Sequence, residues 1–221
     1  MECRPDLSAL TSEELEDLLD SANRIQECCR VLGKGGLNLV GEVLKGQGTF
    51  YEMEHYPKGD VFDPDSRSQY YYHAHRPDTP EHGHFHTFLT VRNGEHEEDQ
   101  LMHLVAISMN AWGHPTGLFT TNRWVTDETW HSAEQVIPRL GEFEIDHASP
   151  SWPLNIWITH FVRLHRFHIA ALLVERDRVL RSARSPLDRL LENRDLEVLS
   201  ECRVDVAAWK QQVARVLLDR S

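Results

Sequence analysis

The chain has 221 residues, with 23 Lys and Arg against 35 Asp and Glu, which gives a formal charge of −12 with histidine neutral. An acidic chain without a Lys/Arg run lacks the electrostatic footprint for non-specific binding to nucleic acid or anionic membranes. Protonating the 14 histidines would carry the charge from −12 to +2, so the charge depends on histidine state.

The first residues, MECRPDLSAL, lack a basic stretch followed by an apolar one, and longer apolar segments are interrupted by polar residues, so the expectation is a cytoplasmic protein. Cysteines at positions 3, 28, 29 and 202 have no CxxC spacing, which points to reduced thiols rather than a disulfide framework or a thiolate zinc site. Residues 1–221 are expected to form one α+β domain.

In chain order, Leu15, Leu18, Leu19, Ala22, Ile25, Cys29 and Leu32 recur at helical steps behind a Thr11–Glu14 capping box, predicting a helix over 12–32. A shorter helical run covers Leu37 to Lys45, closing an N-terminal helical region over 12–45. Phe50 to Arg67 carries aromatics, prolines, Gly59-Asp60 and Asp63-Pro64-Asp65, and reads as an ordered loop. Ser68 to His75, His82 to Arg92, Leu101 to Trp112 and Gly117 to Val125 are rich in β-formers. Asn93-Gly94 and Gly113-His114-Pro115 separate the later runs, so an antiparallel meander of about four strands spans 68–125. Helices return over 130–219: a short one at 130–140, a long one from Leu154 to about Arg181, one started by Ser185-Pro186, and a last one capped by Asp205. The N- and C-terminal helices should cover one sheet face.

Five histidines fall within 73–86. Alternation puts His73 and His75 on one face of their strand, and His82, His84 and His86 on one face of the next. With Arg76 to Glu81 as the turn, His75 pairs with His82, His73 with His84 and Tyr71 with His86, and the two sets share a face. Neighbours on such a patch lie roughly 5–7 Å apart at the backbone, close enough for imidazoles to converge on one ion. A register slip of one residue would destroy the arrangement. Packing imidazoles side by side gains little apolar burial and invites repulsion, a penalty that a cation or an anionic ligand removes. The alternative is a set of individually satisfied or solvated histidines.

An imidazole site without thiolates suits Zn, Fe, Cu or Ni. The candidate metal ligands are His73, His75, His84, His86 and, on the third strand, His103, which alternation places on the face of Val105 and Ile107. Glu81 borders the cluster as ligand or general base, His82 is a further catalytic candidate, and Arg123 is suited to hold a carboxylate or phosphate unless a neighbouring acid claims it. His165 and His168 lie on one stripe with Leu154, Ile158 and Phe161. Like His160 on the same helix, they could reach a metal or sit at a core boundary. His55, Asp60 and Asp63 lie where they could close the mouth of a site, whereas His96, His114, His131 and His147 read as turn or surface residues.

His82-Gly83-His84-Phe85-His86 resembles the alternating motif of the histidine triad nucleotide hydrolases and transferases, which implies metal-free chemistry at an α-phosphate; Gly83 departs from that family's apolar residue. His73-Ala74-His75 with Glu81 resembles a cupin metal motif, with a longer interval to the Glu. The strings GQGTFY (46–51), HYPKGDV (55–61), YYYHAHRP (70–77), EHGHFHTF (81–88) and TTNRWVT (120–126) resemble a family of bacterial proteins known only as a domain of unknown function. That resemblance treats 46–130 as one unit and implies no activity.

Three functions therefore stand open. One is a metal-dependent enzyme, hydrolase or oxidoreductase, acting on a small molecule. The second is a metal-free nucleotidyl transferase or phosphoester hydrolase, and the third a non-catalytic module for a metal, haem or anion. No nucleic-acid or membrane partner is expected.

Overall fold

The computed structural model describes residues 5–76, 80–92 and 98–220. The Asn93-Gly94 turn, His96, Cys3 and part of the 76–81 connection lie outside them. The fold is α+β. Helix α1 (Ser12–Lys34) starts at the expected capping box, in which Glu14 N–H donates to Thr11 Oγ1 and Thr11 N–H to the Glu14 carboxylate. Helix α2 (Leu39–Leu44) is capped by Asn38.

Among the described residues six strands follow as an antiparallel meander in the order β1-β2-β3-β4-β5-β6. They are β1 (Tyr56–Asp63), β2 (Ser68–His73), β3 (Gly83–Val91), β4 (Gln100–Met109), β5 (Pro115–Thr121) and β6 (Val198–Arg203). The four expected strands are β2 to β5, and two more flank them. Strand β1 falls in the segment read as a loop: Gly59 and Asp60 take positive φ there, and the β1–β2 register shifts between Tyr56 and Val61. This bulge chemistry resembles a turn in sequence. Strand β6 lies among helices in the sequence and reaches its place through pairing with β5, Leu118 opposite Cys202 and Thr120 opposite Ser200.

Between β5 and β6 run the short helices α3 (Arg123–Thr126) and α4 (Ala133–Val136), then α5 (Trp152–Leu164), α6 (Arg166–Ser182) and α7 (Leu187–Leu191). The helix expected over 154–181 divides at His165, whose backbone leaves helical geometry. Helix α8 (Val206–Leu218) is capped by Asp205, which accepts from Ala208 N–H. Helix α1 packs on α5 and α8, and α6 on β5 and β6. Among the described residues no helix is long and apolar enough to cross a membrane.

The strand residues divide as alternation requires. Tyr70, Tyr72 and Phe85 face the helices, where Phe85 meets Trp157 and Tyr70 Oη donates to Asn155 Oδ1 at 2.6 Å. Their neighbours Tyr71, His73, His84 and His86 take the other face. That face is covered too, since β3 is buried along nearly its whole length. The sheet curls so far that Arg76, just beyond β2, lies with its guanidinium 4.5 Å from the Phe119 ring on β5.

Phe85 is fully buried between the two histidines that point the other way. Phe85→Ala is expected to cost ~3–5 kcal/mol of stability, read from urea unfolding. A loss under about 1 kcal/mol would show that the helices do not hold this strand.

Candidate metal centre

The β2–β3 hairpin pairs Tyr71 with His86 and His73 with His84, the register that alternation predicts. His75 lies past the end of β2 and carries its ring back onto the same patch. One ring nitrogen from each of His73, His75, His84 and His86 lies within 4.8 Å of those of the other three. Their rings stand edge to face, with centroids 4.6 Å apart for His73 and His84 and 4.9 Å for His84 and His86. The close approach of β2 and β3 here depends on Gly83, where a Cβ would sit 2.6 Å from the His73 carbonyl oxygen and 2.7 Å from Tyr72 Oη.

Three of the four rings are held through Nδ1. His84 Nδ1 lies 2.9 Å from Glu81 Oε1, His75 Nδ1 3.2 Å from Glu197 Oε1, and His86 Nδ1 2.9 Å from His103 Nε2. A carboxylate only accepts, so His84 carries its proton on Nδ1, and the Glu197 carboxylate favours the same tautomer in His75. His86 Nδ1 and His103 Nε2 share one proton between them, and with that proton on Nδ1 His86 too leaves its Nε2 bare. In each case the tautomer leaves Nε2 with a lone pair. The Nε2 atoms of His73, His75, His84 and His86 are all buried and have no hydrogen-bond partner. Buried nitrogens are rarely left in that state, and a metal ion satisfies four of them together.

Burial sets the charge state. It drives His73 down to about 2, helped by repulsion from His84, His75 and His55, and holds His86 well below the ordinary imidazole range. Burial also lowers His84 against the pull of Glu81, and lowers His103 to about 3 with help from the Arg176 guanidinium. Burial works against the charge on Glu81, but its bonds to His84 and Ser108 and the nearby Arg76 outweigh it and keep the carboxyl below its usual range. Glu81 is thus an ionised acceptor for His84. Glu128, which accepts from His103 N–H at 2.6 Å, is instead pushed by burial up to about 7, against the pull of Arg176.

A family model described as a domain of unknown function, DUF6969, matches residues 19–204. The chain belongs to the DUF6969 family. The match spans all six strands, and with them the whole histidine hairpin. No curated protein and no solved structure matches the chain.

Within this DUF6969 chain the other expected site residues divide sharply. His103 reaches the histidine face, but not by simple alternation. The β3–β4 register shifts between Thr87 and Phe88, so His86 opposes Ala106 while Phe88 opposes His103. The extra residue turns His103 away from the side of Val105 and Ile107, which face the helices, and toward His86. His103 therefore stands behind a cluster member. His82 goes the opposite way: it precedes the first strand residue, stacks on Phe50 at 5.1 Å and bonds Tyr72 Oη at 2.8 Å. The three histidines of the 82–86 motif consequently do not share a face, as a histidine triad would require. Arg123 pairs with Glu192, brought from 69 residues away.

Within the helix layer, His165 Nδ1 meets His168 Nδ1 at 3.5 Å, His168 stands edge-on to Trp209, and His160 meets Ser21. His55 does border the cluster, stacked on Tyr71 at 3.6 Å and edge-on to His73, and it is tied to Asp60. Asp63 is structural, accepting from three backbone N–H groups. His131 is buried, not at the surface, and bonds the Thr129 carbonyl. Glu197 and Glu128 were not expected. Neither carries a local signal, and both arrive through the curl of the sheet and the segment after β5.

His73, His86 and His103, which burial keeps neutral in the folded protein but which have an unfolded value near 6.5, make stability pH-dependent. Because their folded values are depressed, their contribution is present above pH 6.5 and is lost as pH falls toward the folded values. Glu128, raised to about 7, acts in the opposite sense as a single group. Chelator-treated protein should lose stability in urea titrations from pH 6.5 to 4, by up to ~1.4 kcal/mol per pH unit for each such histidine. Constant stability over that range would contradict the burial of neutral imidazoles.

Proposed function

We propose that this protein is a metal-dependent enzyme acting on a small molecule, with one first-row transition ion held by Nε2 of His73, His75, His84 and His86. The observation that carries this is the set of four buried, unpartnered Nε2 atoms on converging rings. All-imidazole donors suit Zn, Fe, Cu or Ni. Cys28 and Cys29 are free thiols outside this donor set.

The chain's residues supply what such a site needs around the ion. Glu81 and Glu197 stand at Nδ1 of His84 and His75, where a carboxylate raises the basicity of Nε2, and His103 stands at Nδ1 of His86. His73 and His86, kept neutral by burial, need not lose a proton before binding. Tyr71, Phe88 and Phe119 wall the cluster with aromatic rings and limit access of water. A bound ion would supply Lewis acidity, or redox chemistry if it is Fe or Cu. One feature favours a second reading, a non-catalytic metal module: four protein donors fill a tetrahedral ion, as in structural zinc sites.

Protein purified without a polyhistidine tag is expected to hold one ion per chain by elemental analysis. Metal at 100-fold above its dissociation constant should stabilise it by ~2.7 kcal/mol. His84→Ala and His86→Ala should reduce the metal content to background while the fold persists. No stoichiometric ion, and none on reconstitution with Zn, Fe, Cu, Mn or Ni, would overturn the proposal.

A further inference from the structure

The four histidines are not equivalent. His73 sits on β2, and His84 and His86 on β3, locked by the pairs His73–His84 and Tyr71–His86, and all three are buried. His75 follows the end of β2, outside any ladder, and is only partly buried. Its ring is held by Glu197, whose side chain is 39% exposed and stands just before β6 at the far edge of the sheet. The next residue, Arg76, crosses to Phe119, Glu81 and Glu201, while Met53 N–H donates to the Ala74 carbonyl. Residues 74–76 thus lie outside the strand ladders, tied to other elements by side chains and by the Met53–Ala74 backbone bond.

We infer that His73, His84 and His86 form the permanent three-histidine core of the metal centre and that His75 is an exchangeable fourth donor, whose place on the ion is the one a small anionic or neutral oxygen or nitrogen ligand takes. This rests on the metal reading above. It also resolves the difficulty that four protein donors leave a tetrahedral ion no open position, since a catalytic ion keeps three protein ligands and an open fourth. Donors on paired strands are held precisely, whereas one on a connecting segment is released at lower cost. His75 is also the one member of the cluster that is not fully buried.

Cobalt(II) loading with azide as the probe ligand tests this. The wild type should bind one Co(II) per chain with the intense visible bands of four-coordination. His75→Ala should still bind one Co(II), with lowered affinity, with weaker bands of higher coordination and with a strong spectral response to azide. Glu197→Gln changes a partly exposed group, keeps the ligand set intact and should respond to azide at lower concentration than the wild type. His84→Ala should bind no stoichiometric Co(II).

If His75→Ala loses Co(II) as completely as His84→Ala while Glu197→Gln behaves as the wild type toward azide, His75 is a permanent ligand and the inference fails. If His75→Ala keeps both the affinity and the spectrum of the wild type, His75 is not a ligand, and the inference fails again. A wild type that binds no Co(II) overturns the metal reading itself.

Discussion

Pairing His73 opposite His84 fixes at once which sides of β2 and β3 carry imidazoles and which carry Tyr70, Tyr72 and Phe85. The apolar side is anchored by Trp157 and Asn155 of α5, so the histidines cannot turn toward the helices without exposing that core. The register is therefore enforced from the far side of the sheet. Gly83 allows the approach, because any side chain there would strike the His73 carbonyl. The site is an outcome of core packing, with chemistry-bearing residues on the complementary positions of the same two strands.

Enforcing that register has an energetic cost. The imidazoles are stripped of water and set edge to edge, and their unpartnered Nε2 atoms gain nothing from the protein. The surrounding groups are arranged to serve Nδ1 alone. Two carboxylates and a further imidazole stand at these Nδ1 atoms, and the bulge in β4 lies where it turns that imidazole, His103, toward His86. Such one-sided satisfaction orients metal ligands and disposes of the protons that would otherwise compete with the ion.

Much of this was legible in the sequence, and the parts that were not share a cause. The alternation of YYYHAH and HGHFH gave both the strands and the shared face, because period-two patterning is local and the turn between them short. His103 required a bulge that no local pattern announces. His82 broke the alternation because the strand begins one residue later, at Gly83, and Tyr72 captures its ring. Glu197 lies 122 residues from His75 and Glu192 lies 69 from Arg123, contacts set by the curl of the sheet and the helices between β5 and β6. Strand β1 was hidden by Gly59 and Asp60, whose positive φ belongs to a bulge as readily as to a turn. Six strands rather than four is the result, with the two additions at the edges, where pairing needs no alternating apolar signal.

The central claim is that four imidazoles share one ion, and X-ray absorption at the metal edge of the loaded, tag-free protein addresses it most directly. The account predicts a first shell of nitrogen at ~2.0–2.1 Å, with the outer-shell scattering of four imidazole rings, reduced to three when His75 is replaced. A shell of oxygen or sulfur, or one with fewer than three imidazoles in the wild type, would contradict it.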